Sequence, residues 1–367
     1  LKLPRTPYRF LFAGGGTGGH LFPAIAVAEK IRVMIPEAEI LFIGTKSKIE
    51  GGVVPRLGFE FKSIWIKGFS RKINLENILF PLKLLVSIIQ SIFINLKFKP
   101  KVAIGSGGYV SGPAIFSSSL MGAKIILLEQ NSYPGVTTRL LEKFAQEVHI
   151  SFEDSKKYFR NFNKLFLTGN PIRSNLVQTK KDDALKEFGL SPLYKTLLII
   201  GGSLGAGSIN EAVAGSIKIF EEKGIQIIWQ TGQNYFDQNK NLASDFIKVM
   251  PFIDKMNLAY SASDLLLARA GATTISELLA LGIPSILVPS PNVAENHQYY
   301  NAIALVKNNA AVLLEDKSLY NSLADEILSI IFNQDKLKQL RQNALALAKP
   351  DAAEVIAKNA IKFAQAV

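Results

Sequence analysis

The sequence contains no cysteine. That excludes thiol nucleophiles, cysteine-ligated zinc, iron–sulfur clusters and any disulfide framework, and it suits a reducing compartment. Histidine is nearly as scarce: His20, His149 and His297 are the full set, and no two stand at metal-ligand spacing. A protein-built transition-metal site is therefore not expected, and no organic cofactor is expected on the leading reading. Acidic residues are outnumbered, 30 Asp and Glu against 42 Lys and Arg, for a net charge of +12. Such a surplus favours anionic lipid or phosphorylated substrates. RNA-recognition, KH and helix-turn-helix signatures are missing, so nucleic acid is not expected as a partner. The opening LKLPRTPYRF has no apolar core before a cleavage site, and no signal peptide is expected.

The most apolar stretch, NILFPLKLLVSIIQSIFINLKFKPK (77–101), is interrupted by Lys83, Gln90, Asn95 and Lys97, with Pro81 near its start. It makes a poor transmembrane span. Two roles stay open for it. One is a buried helix of a sheet domain. The other is a helix whose apolar side, flanked by Arg71, Lys72, Lys97, Lys99 and Lys101, lies on an anionic leaflet.

What is present is a folded chain of 367 residues, 48% hydrophobic and 20% charged, with room for two domains. Short β-branched or aromatic runs at 9–13, 39–43, 101–104, 124–128, 195–200, 226–229, 264–268 and 285–288 predict strands. Helical patterns such as 24–34, 209–222 and 319–331 lie between them, so the pattern is βαβ with parallel sheets. Two strands end in glycine loops that open helices, GGGTGGH (14–20) and GGSLGAGS (201–208), as if one architecture had been used twice. The break in LTGNPIRSNL (167–176) predicts domains at 1–169 and 170–349, with a terminal helix, 350–367, packing back on the first.

Gly14-x-Gly16-x-x-Gly19 fits the dinucleotide fingerprint, and its backbone N–H groups and helix dipole suit an anion. An NAD site also needs an acid at the end of the second strand. That strand ends Ile43-Gly44-Thr45-Lys46, with no acid in place. Neither glycine loop ends in Gly-Lys-Ser/Thr, so this is not a P-loop.

Taken in order, GGGTGGHLFPAIAVA (14–28), GSGGYVSGP (105–113), EQN (129–131), GNPIR (169–173), GGSLGA (201–206), RAGATTISEL (269–278) and HQYYNA (297–302) resemble the MurG family, glycosyltransferase family 28. The resemblance spans essentially the whole chain. It implies the α/β GT-B fold: two Rossmann-like domains with parallel sheets facing an interdomain cleft. It also implies an inverting N-acetylglucosaminyltransferase of peptidoglycan synthesis. GlcNAc would pass from UDP-GlcNAc to undecaprenyl-diphospho-MurNAc-pentapeptide, converting lipid I to lipid II. The implied location is the cytoplasmic face of the plasma membrane, with an anionic membrane surface and other cell-wall synthesis proteins as partners.

By resemblance, Arg173 and Ser203 contact the UDP diphosphate and Glu277 binds the ribose. Ala272, Thr273, Thr274, Ile275 and Ser276 line the nucleotide pocket, and Ile253 meets the uracil edge through its backbone. Gln298 matches a glutamine that binds the sugar hydroxyls, but His297 stands where the family usually has a first glutamine, which leaves donor-sugar specificity less defined. Asn131 aligns with a residue near the sugar. Thr17, Gly18 and Gly19 approach the donor sugar or acceptor, and Gly107, Gly108 and Tyr109 suit the acceptor diphosphate. Inversion needs a base for the acceptor hydroxyl, and His20, opening a helix beside an anion-binding loop, is expected to be that base or to orient the acceptor. Three other functions stay open on sequence: another GT-B glycolipid transferase, such as a diacylglycerol galactosyltransferase, a dinucleotide-binding oxidoreductase, and a non-catalytic nucleotide-sugar binder.

Overall fold

The computed structural model describes residues 8–68, 79–173 and 176–366. Arg71 and Lys72, two of the expected membrane-facing cations, and the first two residues of the apolar stretch lie outside them. The chain divides into two compact units, Leu1–Arg173 with Lys349–Val367, and Ser174–Ala348. Residues 170–173, which the sequence pattern assigns to the second domain, group with the first.

The first unit is built on seven parallel strands: β1 (Arg9–Ala13), β2 (Glu39–Gly44), β3 (Glu60–Ser63), β4 (Val102–Gly105), β5 (Lys124–Glu129), β6 (Glu147–Ile150) and β7 (Leu165–Leu167). Their order is β3-β2-β1-β4-β5-β6-β7. Helices cover both faces, which is why β1 reads as an unbroken apolar run with Phe10, Leu11, Phe12 and Ala13 all buried. One face packs on the helices Gly18–Met34 and Ala352–Gln365, the latter inserting Ile356, Ala357, Ala360 and Ala364 into the core. Small side chains let the two helices approach closely, and Asn359 Nδ2 donates to Glu147 Oε2 at 2.9 Å to fix the terminal helix on the sheet.

The opposite face carries the helices Ser111–Leu120 and Phe80–Phe98. The second of these is inverted relative to an ordinary amphipathic helix. Ser87, Ser91 and Asn95 are its buried residues. They meet the Ser111–Leu120 helix, where Ser118 Oγ donates to Asn95 Oδ1 at 2.8 Å and Ser117 Oγ to the Ile88 carbonyl at 3.3 Å. Leu82, Leu85, Ile89, Phe93 and Leu96 point outward, Phe93 being 68% exposed. The 19-residue helix is long and apolar enough to cross a membrane by length and composition, yet one side of it is packed on protein.

The second unit repeats the scheme with six parallel strands: β8 (Lys195–Ile200), β9 (Ile225–Gln230), β10 (Ile247–Met250), β11 (Leu265–Arg269), β12 (Ser285–Val288) and β13 (Val312–Leu313). Their order is β10-β9-β8-β11-β12-β13. Trp229 and Phe220 lie fully buried in its core. In both units the strand order reverses beside the first strand, between β1 and β4 and between β8 and β11. Ligands of open parallel sheets bind at the carboxyl ends of strands at such a switch point. Both long glycine loops begin there.

Candidate active site

In the first unit the switch point is framed by the loop after β1 and the loop after β4, and glycines let the two interlock. A Cβ on Gly108 (φ +77) would meet the Gly15 carbonyl at 2.5 Å, and one on Gly107 (φ +93) would lie 2.8 Å from the His20 ring. Gly16 (φ +84) sits against the Tyr109 ring. Thr17 is exposed and caps the helix Gly18–Met34 in an extended conformation, and Gly18, Gly19 and His20 form its first turn. The Gly18 and Gly19 N–H groups at such a start have no partner within their helix, while the His20 N–H reaches the Thr17 carbonyl at 3.3 Å, and no acidic residue occupies the turn.

His20 is held from behind. Its Nδ1 lies 3.0 Å from the Ser106 carbonyl and 3.2 Å from Gln130 Oε1. A carbonyl oxygen only accepts, so Nδ1 carries the proton and donates; the neutral ring then bears its lone pair on Nε2. Ser106 Oγ also donates to the His20 carbonyl at 2.7 Å. The acceptors are supplied by the loop after β4 and the end of β5, so two other chain segments fix the imidazole. Neither Ser106 nor Gln130 is singled out by the sequence pattern, although both stand inside motifs, GSGGY and EQN.

Beside Gln130, Glu129 is 2% exposed and accepts the N–H groups of Asn131 (3.1 Å) and Gly135 (3.1 Å). Asn131 Nδ2 approaches the same carboxylate at 3.4 Å. Burial pushes the Glu129 carboxyl up from 4.5 to about 7, against hydrogen bonds that favour its ionised form. Asn131 is thus fixed by its neighbour at the end of β5. Arg173 closes the first unit with its guanidinium 6.0 Å from the Phe22 ring.

In the second unit a cavity of about 660 Å³ opens at the switch point, lined by residues 201–208 together with Arg269, Thr274, Ser290 and Gln298. It brings Ser203, Thr274 and Gln298 together. Ile253, Ala272, Thr273, Ile275, Ser276 and Glu277 are not among the residues lining it. Ser203 is exposed, and Gln298 Oε1 accepts the Ser290 N–H at 2.9 Å, holding the loop after β12. The helix Ala272–Leu281 starts right after β11. Its Glu277 is 3% exposed and accepts the Tyr260 hydroxyl at 2.9 Å.

Two further supports are visible only in three dimensions. Gln230, buried at the end of β9, accepts the Ile253 N–H at 3.0 Å and donates to the Gly202 carbonyl at 3.1 Å. Arg269 pairs with Asp316 and donates to Ser208 Oγ at 2.8 Å, and Ser208 donates to Asp316 at 2.8 Å. Among the described residues no cluster of three His, Asp or Glu side chains could hold a metal ion.

Residues 10–150 match the glycosyltransferase family 28 N-terminal domain, and residues 196–356 match the family 28 C-terminal domain. The chain belongs to glycosyltransferase family 28. Its family 28 relatives include a protein of Flavobacterium psychrophilum, 41% identical across 98% of each chain, and one of Bacteroides fragilis, 43% identical across 97% of this chain and 96% of that one. Both are named UDP-N-acetylglucosamine–N-acetylmuramyl-(pentapeptide) pyrophosphoryl-undecaprenol N-acetylglucosamine transferase. Among solved structures, MurG of Acinetobacter baumannii matches with a TM-score of 0.77 at 26% identity, covering 97% of this chain and all of that one. The two parallel-sheet units are the GT-B fold of this family, and the chain is a glycosyltransferase.

Proposed function

We propose that the chain transfers N-acetylglucosamine from UDP-N-acetylglucosamine to a lipid-linked MurNAc-pentapeptide, the lipid I to lipid II step of peptidoglycan synthesis. The relatives' shared name supports the substrates. The observation that carries the chemistry is the Nδ1–H donation from His20 to Ser106, which turns a lone pair on Nε2 toward service as a base. In the inverting step the acceptor hydroxyl oxygen bonds to the anomeric carbon as that carbon's bond to the UDP β-phosphate oxygen breaks. The hydroxyl proton passes to His20 Nε2, and UDP leaves with its charge met by the loop 201–208, Ser203 and Arg173. Glu277 takes the ribose hydroxyls, the Ile253 backbone meets the uracil edge, and Thr274, alone of residues 272–276, lines the cavity of the second unit. Gln298 and Asn131 serve the sugar. On the first unit, residues 17–19 meet the sugar or acceptor, and residues 107–109 take the acceptor's diphosphate. Incubation with labelled UDP-GlcNAc and lipid-linked MurNAc-pentapeptide tests the reading; a labelled lipid product is expected, and its absence with an active control preparation overturns it.

The acceptor's polyprenyl tail stays in the bilayer, so the first unit works at a membrane surface, the cytoplasmic leaflet. The exposed stripe Leu82, Leu85, Ile89, Phe93 and Leu96 is an apolar face of the kind that marks an interaction site. Lys97, Lys99 and Lys101 stand at its end and suit anionic lipid. Flotation with anionic vesicles is expected, weakened by Phe93→Asp and by charge reversal at Lys97 and Lys101. Equal binding to zwitterionic vesicles would remove the electrostatic part. Other wall-synthesis proteins are expected at the same surface.

A further inference from the structure

Glu50 is 1% exposed and lies at the start of the helix Ile49–Arg56, in the segment that follows β2. Its carboxylate receives three donors. Oε2 accepts the Gly16 N–H at 3.0 Å, and Oε1 accepts both the Thr45 N–H at 3.0 Å and the Thr45 hydroxyl at 2.6 Å. A Cβ on Gly15 would sit 2.5 Å from the Glu50 carboxyl carbon, so the first glycine loop lies directly on this carboxylate. Thr45 Oγ1 spends its one proton on Glu50, so at the 3.4 Å contact with Tyr109 the phenol is the donor. Tyr109 in turn covers Gly16. One buried carboxylate therefore ties the loop after β1, the end of β2 and the loop after β4 together.

Three converging donors require a group that only accepts. Glutamine would aim its NH2 at one of them and leave a buried donor unsatisfied. By drawing the Gly16 N–H inward, Glu50 also removes that amide from the set that an anion could use. The Gly18 and Gly19 amides are the ones left to face a ligand, the His20 N–H being taken by the Thr17 carbonyl. We propose that Glu50 is a positioning residue of the transfer reaction: it sets the conformation of residues 14–19, and with it the placement of His20 and Tyr109 against the acceptor. This rests on the reading of that loop as the acceptor side of the site.

The test compares Glu50→Gln, Glu50→Asp and Thr45→Val with wild type, each assayed well below its own unfolding midpoint. For Glu50→Gln the expected result is a fall of at least fiftyfold in kcat over acceptor KM, on the order of the loss of catalysis that misplacement of a reacting group brings. UDP binding measured by calorimetry should stay within about twofold, because the contact network lies wholly in the first unit. Glu50→Asp keeps an acceptor-only group and should recover part of the loss. Thr45→Val, which removes one donor and the Tyr109 link, should show a smaller one. The Gly16 amide, protected from hydrogen exchange in wild type, should exchange faster in Glu50→Gln. A folded Glu50→Gln with kcat and acceptor KM within twofold of wild type overturns the proposal. If Glu50→Gln does not fold, normal turnover in both Glu50→Asp and Thr45→Val overturns it as well. If wild type shows no transfer, the functional reading fails instead, and the Gly16 exchange rate still decides whether Glu50 holds the loop.

Discussion

The loops 14–19 and 201–208 occupy equivalent places. Each follows the first strand of a parallel sheet, at the point where strand order reverses, and each opens a helix of the Rossmann pattern. They differ in what holds them. Beneath the first a carboxylate, Glu50, consumes a backbone N–H. Beneath the second an amide, Gln230, donates to a backbone carbonyl and consumes no N–H of the loop. The first loop ends on an imidazole held at Nδ1 by the Ser106 carbonyl; the second is flanked by a guanidinium, Arg269, already neutralised by Asp316. One strand–loop–helix unit thus presents an imidazole or a paired guanidinium according to the side chains that neighbouring strands bring beside it.

The comparison predicts separable losses. His20→Ala should lower kcat about a thousandfold, the scale of a lost general base, while UDP affinity by calorimetry is unchanged; near-normal turnover would remove His20 from the chemistry. Stability of the first unit should next report Glu129. A displacement of its carboxyl from 4.5 to about 7 means that the folded state holds a proton which the unfolded chain releases above 4.5. Stability should therefore fall as pH rises from 4.5 to 7 and level off above, by about 3 kcal/mol in total. Glu129→Gln should flatten that slope in urea titrations at several pH values, and an unchanged slope would reassign it to other groups. Glu277→Ala should weaken UDP binding by about 2 kcal/mol, roughly thirtyfold, and an unchanged dissociation constant would move the ribose site elsewhere. Gly107→Ala, strained at its positive φ and crowding His20, should cost about 1–2 kcal/mol of stability and lower turnover without touching UDP affinity.

Much of this fold can be read in the sequence because each central strand is buried on both faces and so forms an unbroken apolar run between glycines. Strands β1, β8 and β12 fall where the runs predict them. The short strands β3, β7 and β13 carry no comparable signal, since each is an edge strand of two to four residues, too short to show a run. The helix Phe80–Phe98 could not be oriented from its pattern: Ser87, Ser91 and Asn95 face the protein, the reverse of the usual rule, and Ser117 and Ser118 of the next helix are partners on that side. Glu50 was hidden for another reason. In Lys48-Ile49-Glu50 it looks like an acid favouring its own helix start, and its real partner, Gly16, is brought to it by the pairing of β1 with β2.

The helix Ala352–Gln365 completes the core of the first unit although it is made only after the second unit. A chain growing from its N-terminus exposes the face of Leu21, Ile25 and Val27 until the whole second unit has been translated, on the order of ten to forty seconds at ordinary ribosome speeds. During that interval the first unit, though made before the second, is the less finished of the two. The second unit, sequence-contiguous from Ser174 to Ala348, has all of its core available first, so the order of completion runs opposite to the order of synthesis.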